Sequence, residues 1–183
     1  MLRSFIAIDV EKTDKIEKFW KEVSEAGADL KMVEMENLHI TLKFLGSTDE
    51  KKIDEIESVM RKSIKGMQPF VVKLRGVGFF PNERKIRVIW IGIEDEGKLA
   101  KIAKDMEEGL ARIGFSREEK EFSPHLTIAR VKSQKRKEEL LRIIDKYRCF
   151  EFGEIEVSNI RLKKSELTPK GPIYTTLREV KLG

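Results

Sequence analysis

The two histidines of this chain each belong to the same short motif, and imidazole is the side chain best suited to exchanging protons near neutral pH. One motif, LHITL, contains His39 and Thr41, and the other, PHLTI, contains His125 and Thr127. Residues i and i+2 of a β-strand point to the same face of the sheet. Each strand therefore presents one imidazole and one hydroxyl together, while its aliphatic side chains pack on the opposite face.

Two such strands side by side would line one groove with two imidazoles and two hydroxyls. An imidazole has a pKa near ~6.5, so one ring can act as a general base while the other acts as a general acid. Threonine hydroxyls donate hydrogen bonds to phosphate oxygens. The best-matched chemistry is displacement at phosphorus, with water or an RNA hydroxyl as the attacking group. A purely structural role stays open, as does a two-histidine metal site, although neither motif supplies the third ligand that such a site needs.

The elements that must position these motifs follow an order that occurs twice. Hydrophobic periodicity and turn signals predict strand, helix, strand, helix, strand over roughly 2–80, and the same order over roughly 86–162. Each motif takes the same place, in the second strand of its half. We therefore predict a single domain over 1–183 with an internal duplication and a C-terminal strand at 173–180. Two related lobes would bring matching residues to a shared site.

The predicted elements have approximate bounds. Strands are expected at 3–9, 38–45, 70–80, 86–93, 125–131, 150–162 and 173–180, and helices at 12–26, 47–64, 98–113 and 133–147. Ser47 and Glu50 form a capping-box pattern at the start of the second helix. Ser133 is the expected cap of the fourth.

Composition limits the class of protein. The 183 residues carry a net charge of +5 and are 40% hydrophobic, and no apolar run approaches the ~18 residues of a membrane span. We therefore expect a cytoplasmic protein without membrane contact. The single cysteine, Cys149, excludes an intrachain disulfide and a cysteine-based zinc site. The 38% of charged residues is typical of a thermophile surface, and the modest positive excess permits a polyanionic partner.

With their flanking residues, the two motifs resemble the 2H phosphoesterase superfamily. More narrowly, the chain is similar to the archaeal and bacterial RNA 2′,3′-cyclic phosphodiesterases, also called 2′-5′ RNA ligases. The likeness includes RSFIAI at 3–8, NLHITLKFLG at 37–46, SPHLTIAR at 123–130, and Leu162, Ser165, Leu167, Gly171, Pro172 and Tyr174. The resemblance implies an α+β fold of two pseudo-symmetric lobes, each an antiparallel sheet with helices outside, and an active-site cleft between the sheets.

The resemblance also implies an activity. Family members open a terminal RNA 2′,3′-cyclic phosphate to a 2′-phosphate without metal or cofactor, and some also join RNA ends through a 2′-5′ bond. By resemblance, His39 is the general acid, His125 is the general base, and Thr41 and Thr127 hold the phosphate oxygens. The expected partner is RNA with a 2′,3′-cyclic phosphate end, tRNA fragments among the candidates, and the expected state is a monomer.

Further residues are candidate substrate contacts. Lys43 shares the predicted face of His39 and is a candidate phosphate ligand. Tyr174 is a candidate contact to a base or ribose. Arg130 follows the second motif, but strand alternation turns it away from His125, so a structural role is equally open. Phe44 is a further candidate contact to a base or ribose, but alternation turns it away from His39 and favours packing in the core.

The densest basic run, KSQKRK at 132–137, is expected at a helix start, where it would either steer RNA or form a solvated surface.

Three other functions stay open at this stage. The first is a related phosphodiesterase acting on a small nucleotide, such as a 2′-5′ oligoadenylate or a cyclic phosphate of ADP-ribose. The second is a noncatalytic RNA-binding module, which would not need two titrating groups. The third is a metal hydrolase, which would lose activity with a chelator.

Overall fold

The computed structural model describes all residues from Met1 to Gly183. Nine strands and four α-helices are joined by short loops and by two 3₁₀ turns, at Met35–Asn37 and Glu50–Lys52. The strands are β1 Leu2–Asp9, β2 Leu30–Met32, β3 His39–Thr48, β4 Phe70–Asn82, β5 Lys85–Glu94, β6 His125–Val131, β7 Glu151–Val157, β8 Asn159–Thr168 and β9 Gly171–Lys181. The helices are α1 Asp14–Ser24, α2 Ile53–Ser63, α3 Lys98–Arg112 and α4 Lys137–Lys146.

The strands form one antiparallel sheet made of two halves. Its order is β7-β4-β5-β6-β3-β1-β8-β9, and the short β2 pairs with β6. One lobe holds β7, β4, β5 and β6, and the other holds β3, β1, β8 and β9. The lobes join where Ile40 of β3 pairs with Leu126 of β6, the single residue pair between these strands. The predicted α+β class is confirmed, and the two expected sheets are continuous through this one pair.

Each lobe combines elements from both halves of the sequence. Strand β4 pairs with β5 and β7, and β8 pairs with β1. Helices α1 and α4 pack together and contact β7 and β4, whereas α2 and α3 pack together and contact β9 and β3. The lobes therefore do not coincide with 2–80 and 86–162, and the duplication stays a prediction. Equivalent strands nevertheless take equivalent places, with β3 and β6 at the centre and β1 and β5 beside them.

The helices are amphipathic and each buries one face. Thr13 caps α1, because its hydroxyl accepts a hydrogen bond from the backbone N–H of Ile16 at 3.2 Å. Ile16, Phe19 and Val23 recur at helical spacing and are fully buried. Burying one such side chain stabilises the fold by ~1.5–3 kcal/mol. None of the helices combines the length and apolar character that crossing a membrane requires.

The predicted start of the second helix is wrong. Ser47 lies in β3, and the carboxylate of Asp49 accepts a hydrogen bond from the backbone N–H of Lys51 at 3.0 Å. Asp49 therefore begins the 3₁₀ turn that leads into α2. The strand continues three residues further than its hydrophobic pattern indicates, which moves the helix start along the chain.

The fourth helix also starts later than predicted, at Lys137. Most of the basic run at 132–137 is consequently a loop, and Ser133 does not cap the helix. The side chain of Gln134 accepts from the backbone N–H of Ile86 and donates to the carbonyl oxygen of the same residue, both at 2.9 Å. These two bonds fix the basic loop against the start of β5.

Candidate active site at the junction of the lobes

The two histidines lie at the junction of the lobes. His39 and His125 are the first residues of β3 and β6, and the residue after each one belongs to the single pair that joins these strands. The antiparallel register through that pair brings His39 towards Thr127 and His125 towards Thr41. All four side chains lie on the face opposite the buried Ile40–Leu126 pair. The structure thus brings together the four residues that the motifs predicted.

Both imidazoles are held by the same backbone contact. Nδ1 of His39 is 2.7 Å from the carbonyl oxygen of Asn37, and Nδ1 of His125 is 2.8 Å from that of Ser123. A carbonyl oxygen only accepts hydrogen bonds, so Nδ1 of each ring carries the proton and donates it. Nε2 of each ring has no protein partner and is left to accept or release a proton.

Two aromatic side chains pack against the ring of His39. Its ring centroid lies 5.1 Å from that of Phe5 and 5.4 Å from that of Tyr174, which meets it edge to face at 86°. Phe5 and Tyr174 also contact each other at 5.0 Å. The structure therefore places Tyr174, a predicted contact residue, directly beside His39.

A second aromatic pair packs against His125. Its ring lies 5.2 Å from Phe80, edge to face at 86°, and 6.3 Å from Trp90. Trp90 lies over Gly78 on the neighbouring strand, where an added Cβ atom would meet the indole ring at 2.4 Å. Gly78 therefore leaves the space that the indole ring occupies near the histidine.

The environment of His39 favours its neutral form. Burial lowers the pKa of His39, and the charges of Lys163 and Arg130 lower it further. The hydrogen bond to Asn37 and the charge of Asp9 oppose this change in the pKa. Burial raises the pKa of the neighbouring Tyr174, so its hydroxyl stays protonated at neutral pH. The free protein therefore presents His39 as a proton acceptor at neutral pH.

Strand β3 departs from simple alternation just after its motif. Ala7 of β1 pairs with Thr41, but the next residue, Ile6, pairs with Lys43. The extra residue in β3 is a β-bulge, which reverses which side chains face the cleft.

The prediction that Lys43 faces the phosphate with His39 is therefore wrong. Its side chain is 3% exposed, and its ammonium group donates to Glu107 Oε1 at 3.0 Å and to the carbonyl oxygen of Ser116 at 2.8 Å. Lys43 joins β3 to α3 and to the loop after it. It stabilises the lobe and does not face the cleft.

The same bulge overturns the prediction that Phe44 packs in the core. Phe44 is 58% exposed, and its ring lies 6.1 Å from that of Phe5, on the His39 side of the sheet. Phe44 therefore extends the aromatic wall of the cleft.

Strand β6 carries a matching bulge. Trp90 of β5 pairs with Thr127, but the next residue, Ile89, pairs with Ala129. Ala129 is fully buried and Arg130 is exposed. The extra residue turns Arg130 to the face of Thr127, so the prediction that it points away from His125 is wrong.

Arg130 is also electrostatically close to the cleft. Its positive charge contributes to the lowered pKa of His39, and it opposes the burial that raises the pKa of Tyr174. The guanidinium group forms no ion pair within the protein. It is therefore free to bind an anion in the cleft.

A charged network that the sequence did not reveal lies beside His39. Asp9, which pairs with His39 in the sheet, binds Lys163 at 2.5 Å and Arg161 at 2.9 Å. Lys163 is 6% exposed, and its ammonium group lies 5.6 Å from the ring centre of Tyr174. Detecting this network requires knowledge that β8 pairs with β1, because more than 150 residues separate its partners.

No three side chains among His, Cys, Asp and Glu lie close enough together to hold a metal ion. Cys149 is exposed and carries a free thiol.

Comparison with known proteins supplies the family. A family model described as the AKAP7 2′5′ RNA ligase-like domain matches residues 5–182. The chain belongs to this family of 2H phosphoesterases. The match spans both histidine motifs and the C-terminal hairpin.

Other 2H phosphoesterases are similar to this chain over its whole length. An RNA 2′,3′-cyclic phosphodiesterase of Methanothermobacter thermautotrophicus is 39% identical, with 99% of each chain covered. One of Archaeoglobus fulgidus is 46% identical, over 97% of this chain and 98% of the relative. The crystal structure of TT0787 from Thermus thermophilus has a TM-score of 0.83 at 29% identity, over 99% of this chain and 98% of that one. A structure of E. coli LigT, with a TM-score of 0.77 at 22% identity over 99% and 98% of the two chains, shares the fold.

Proposed function

We propose that this protein is a phosphodiesterase that opens a terminal RNA 2′,3′-cyclic phosphate to a 2′-phosphate. One observation carries the proposal: two imidazoles flank one strand pair, each with Nδ1 fixed to a carbonyl oxygen and Nε2 without a partner. This arrangement suits a reaction in which one proton is removed while another is delivered. The names of the relatives support the same activity.

The reaction requires one base and one acid. The base removes a proton from a water molecule, whose oxygen attacks phosphorus. The bond between phosphorus and the 3′ oxygen breaks, and the acid gives its proton to that oxygen. The products are a 2′-phosphate and a 3′-hydroxyl, and the proton gained by the base returns to the acid through solvent.

His125 serves as the base in this scheme and His39 as the acid. A general acid must be protonated before it acts, whereas burial lowers the pKa of His39 in the free protein. A bound phosphate places a negative charge beside the ring and raises its pKa. We therefore propose that His39 becomes protonated when substrate binds, so that the general acid is present only in the occupied site.

The remaining residues bind the phosphate and the nucleoside. Thr41 and Thr127 donate hydrogen bonds to the non-bridging oxygens, and Arg130 neutralises the charge that develops on them. Tyr174 packs against the ribose or base next to His39. A 5′-hydroxyl that replaces water as the attacking group would give a 2′-5′ bond, which is the joining reaction expected from the family.

We further propose that the protein acts as a monomer, because one chain supplies both histidines, and that it acts in the cytoplasm. Its substrates would be RNA fragments with 2′,3′-cyclic phosphate ends, with tRNA fragments among the candidates.

The test is hydrolysis of an RNA with a 2′,3′-cyclic phosphate end, with EDTA present and the position of the product phosphate determined. We expect a 2′-phosphate and an unchanged rate with the chelator. Hydrolysis that disappears with EDTA and returns with added metal would favour the metal hydrolase. Turnover of small nucleotides without turnover of RNA would favour the related phosphodiesterase.

A further inference from the structure

A cavity of about 300 Å³ lies beside the cleft, between β3 and the loop after α3. Beyond Ile40, β3 has no partner strand on the side of β6, so a gap opens there. Phe44 and Ser47 line the cavity from the strand, and Phe115 and Arg117 line it from the loop. Its volume is at the lower end of the range for sites that bind small ligands, ~300–1,000 Å³.

The loop wall of this cavity is held in place by charged side chains. The ammonium group of Lys43 donates to the carbonyl oxygen of Ser116 at 2.8 Å, and Glu107 accepts from the backbone N–H of Glu118 at 2.6 Å. Lys52 donates to the carbonyl oxygen of Ile113. The cavity is therefore formed before any ligand binds.

Phe44 links the cavity to the catalytic cleft. Its ring is shared by both, because it lines the cavity and lies 6.1 Å from Phe5, which lies 5.1 Å from His39. Two aromatic rings, those of Phe5 and Phe44, thus connect His39 to the cavity.

Two arginines without partners accompany the cavity. Arg117 lines it, and Arg3 pairs in the sheet with Ser47, another lining residue. Both are exposed, and neither forms an ion pair with a carboxylate. Unpaired guanidinium groups near the exposed ring of Phe44 and the partly buried ring of Phe115 form a surface that suits a phosphate and its base.

We propose that this cavity binds the nucleotide on the 5′ side of the cyclic phosphate. The base packs between Phe44 and Phe115, and Arg3 and Arg117 contact the connecting phosphate. This inference rests on the proposed function, since it assumes an RNA end at His39 and His125. It assigns the protein a preference for oligonucleotides over mononucleotides.

Binding of inert product RNA tests the subsite separately from catalysis. The probes are a trinucleotide that ends in a 2′-phosphate and the corresponding mononucleotide, each titrated at several salt concentrations. Wild type should bind the trinucleotide more tightly. Phe44→Ala should weaken trinucleotide binding by on the order of 10-fold, because one base–aromatic contact is lost. Arg117→Ala should lower the slope of log affinity against log salt by about 0.7, the value for one phosphate contact in single strands.

Arg142→Ala is the matched control, because Arg142 is exposed on α4 in the other lobe and its loss should leave both affinities unchanged. The subsite proposal would be overturned if wild type bound both probes equally tightly. It would also be overturned if the ratio of trinucleotide to mononucleotide affinity were unchanged in Phe44→Ala and Arg117→Ala. A lower ratio in these variants supports the proposal. Tight trinucleotide binding without hydrolysis of any cyclic phosphate would instead contradict the proposed function while leaving the subsite supported.

Discussion

His39 and His125 share the same backbone restraint but differ in their surroundings. Each Nδ1 donates to the carbonyl oxygen two residues earlier, so the rings present the same tautomer. His39 additionally packs against Tyr174 and lies near Lys163 and Arg130, which together with burial lower its pKa. The shared motif therefore fixes the ring of His39, and its own surroundings set its pKa.

The first prediction concerns the titration of His39. In the free protein, NMR should show this imidazole losing its proton at a pH below the ordinary value of ~6.5. Arg130→Ala should raise the pKa of His39, because a nearby positive charge is removed. The spectrum of His125→Ala identifies which of the two imidazole resonances belongs to His39. Arg142→Ala, which removes a distant arginine, serves as the control for Arg130→Ala. Titration of His39 at or above ~6.5 would contradict the electrostatic argument.

The lowered pKa of His39 also links stability to pH. Between the folded-state pKa and the unfolded value of ~6.5, the unfolded chain binds more protons than the native one. The contribution of His39 to the free energy of unfolding is therefore complete above ~6.5 and is lost as the pH falls through this window.

At the scale of the strands, two equivalent bulges decide which side chains reach the cleft. The i, i+2 rule predicts correctly that each histidine shares a face with its threonine. The rule fails two residues later, because each strand carries an extra residue at that point relative to its partner, Leu42 in β3 and Ile128 in β6. Lys43, Phe44 and Arg130 are consequently on the opposite faces from those predicted. A bulge depends on the pairing register, which one strand's own sequence does not contain.

The second prediction distinguishes the structural role of Lys43 from a role in binding. Lys43→Met should lower the free energy of unfolding by about 1–3 kcal/mol, because the partly buried hydrogen bonds to Glu107 and to the carbonyl oxygen of Ser116 lose their donor. Chemical denaturation measures this change. Lys101→Met is the control, since the exposed pair with Asp105 on the same helix should contribute less than about 1 kcal/mol. Unchanged stability with weakened RNA binding would restore Lys43 as a phosphate ligand.

At the scale of the whole molecule, the site exists because the lobes meet at the one residue pair that joins β3 to β6. Most strand and helix positions could be predicted from periodicity, and β6 was predicted with its observed bounds. The way each lobe combines the two halves of the sequence could not be predicted. Strand β4 of the first half pairs with β5 of the second, and β8 of the second half pairs with β1 of the first. Long-range pairing of this kind leaves no signal within a local stretch of chain. The aromatic pairs around the histidines, which depend on it, were missed for the same reason.

The third prediction concerns the basic loop that Gln134 fixes against β5. Replacing its lysines with serine should weaken binding of RNA and reduce the dependence of affinity on salt, because phosphate contacts are lost. The variant combines Lys132, Lys135 and Lys137. Its control removes the same charge from exposed lysines of α3, namely Lys98, Lys101 and Lys104. Equal effects of the two triple variants would show that the loop contributes only net charge.

The most direct test of the paired-histidine mechanism is the rate of cyclic phosphate hydrolysis by His39→Ala, His125→Ala and the double variant, with melting temperatures measured alongside. Each single change should slow hydrolysis by on the order of 10²- to 10⁴-fold. The double variant should lose far less than the product of the two losses, because the histidines act as a unit. Near-normal turnover in either folded single variant would contradict the mechanism.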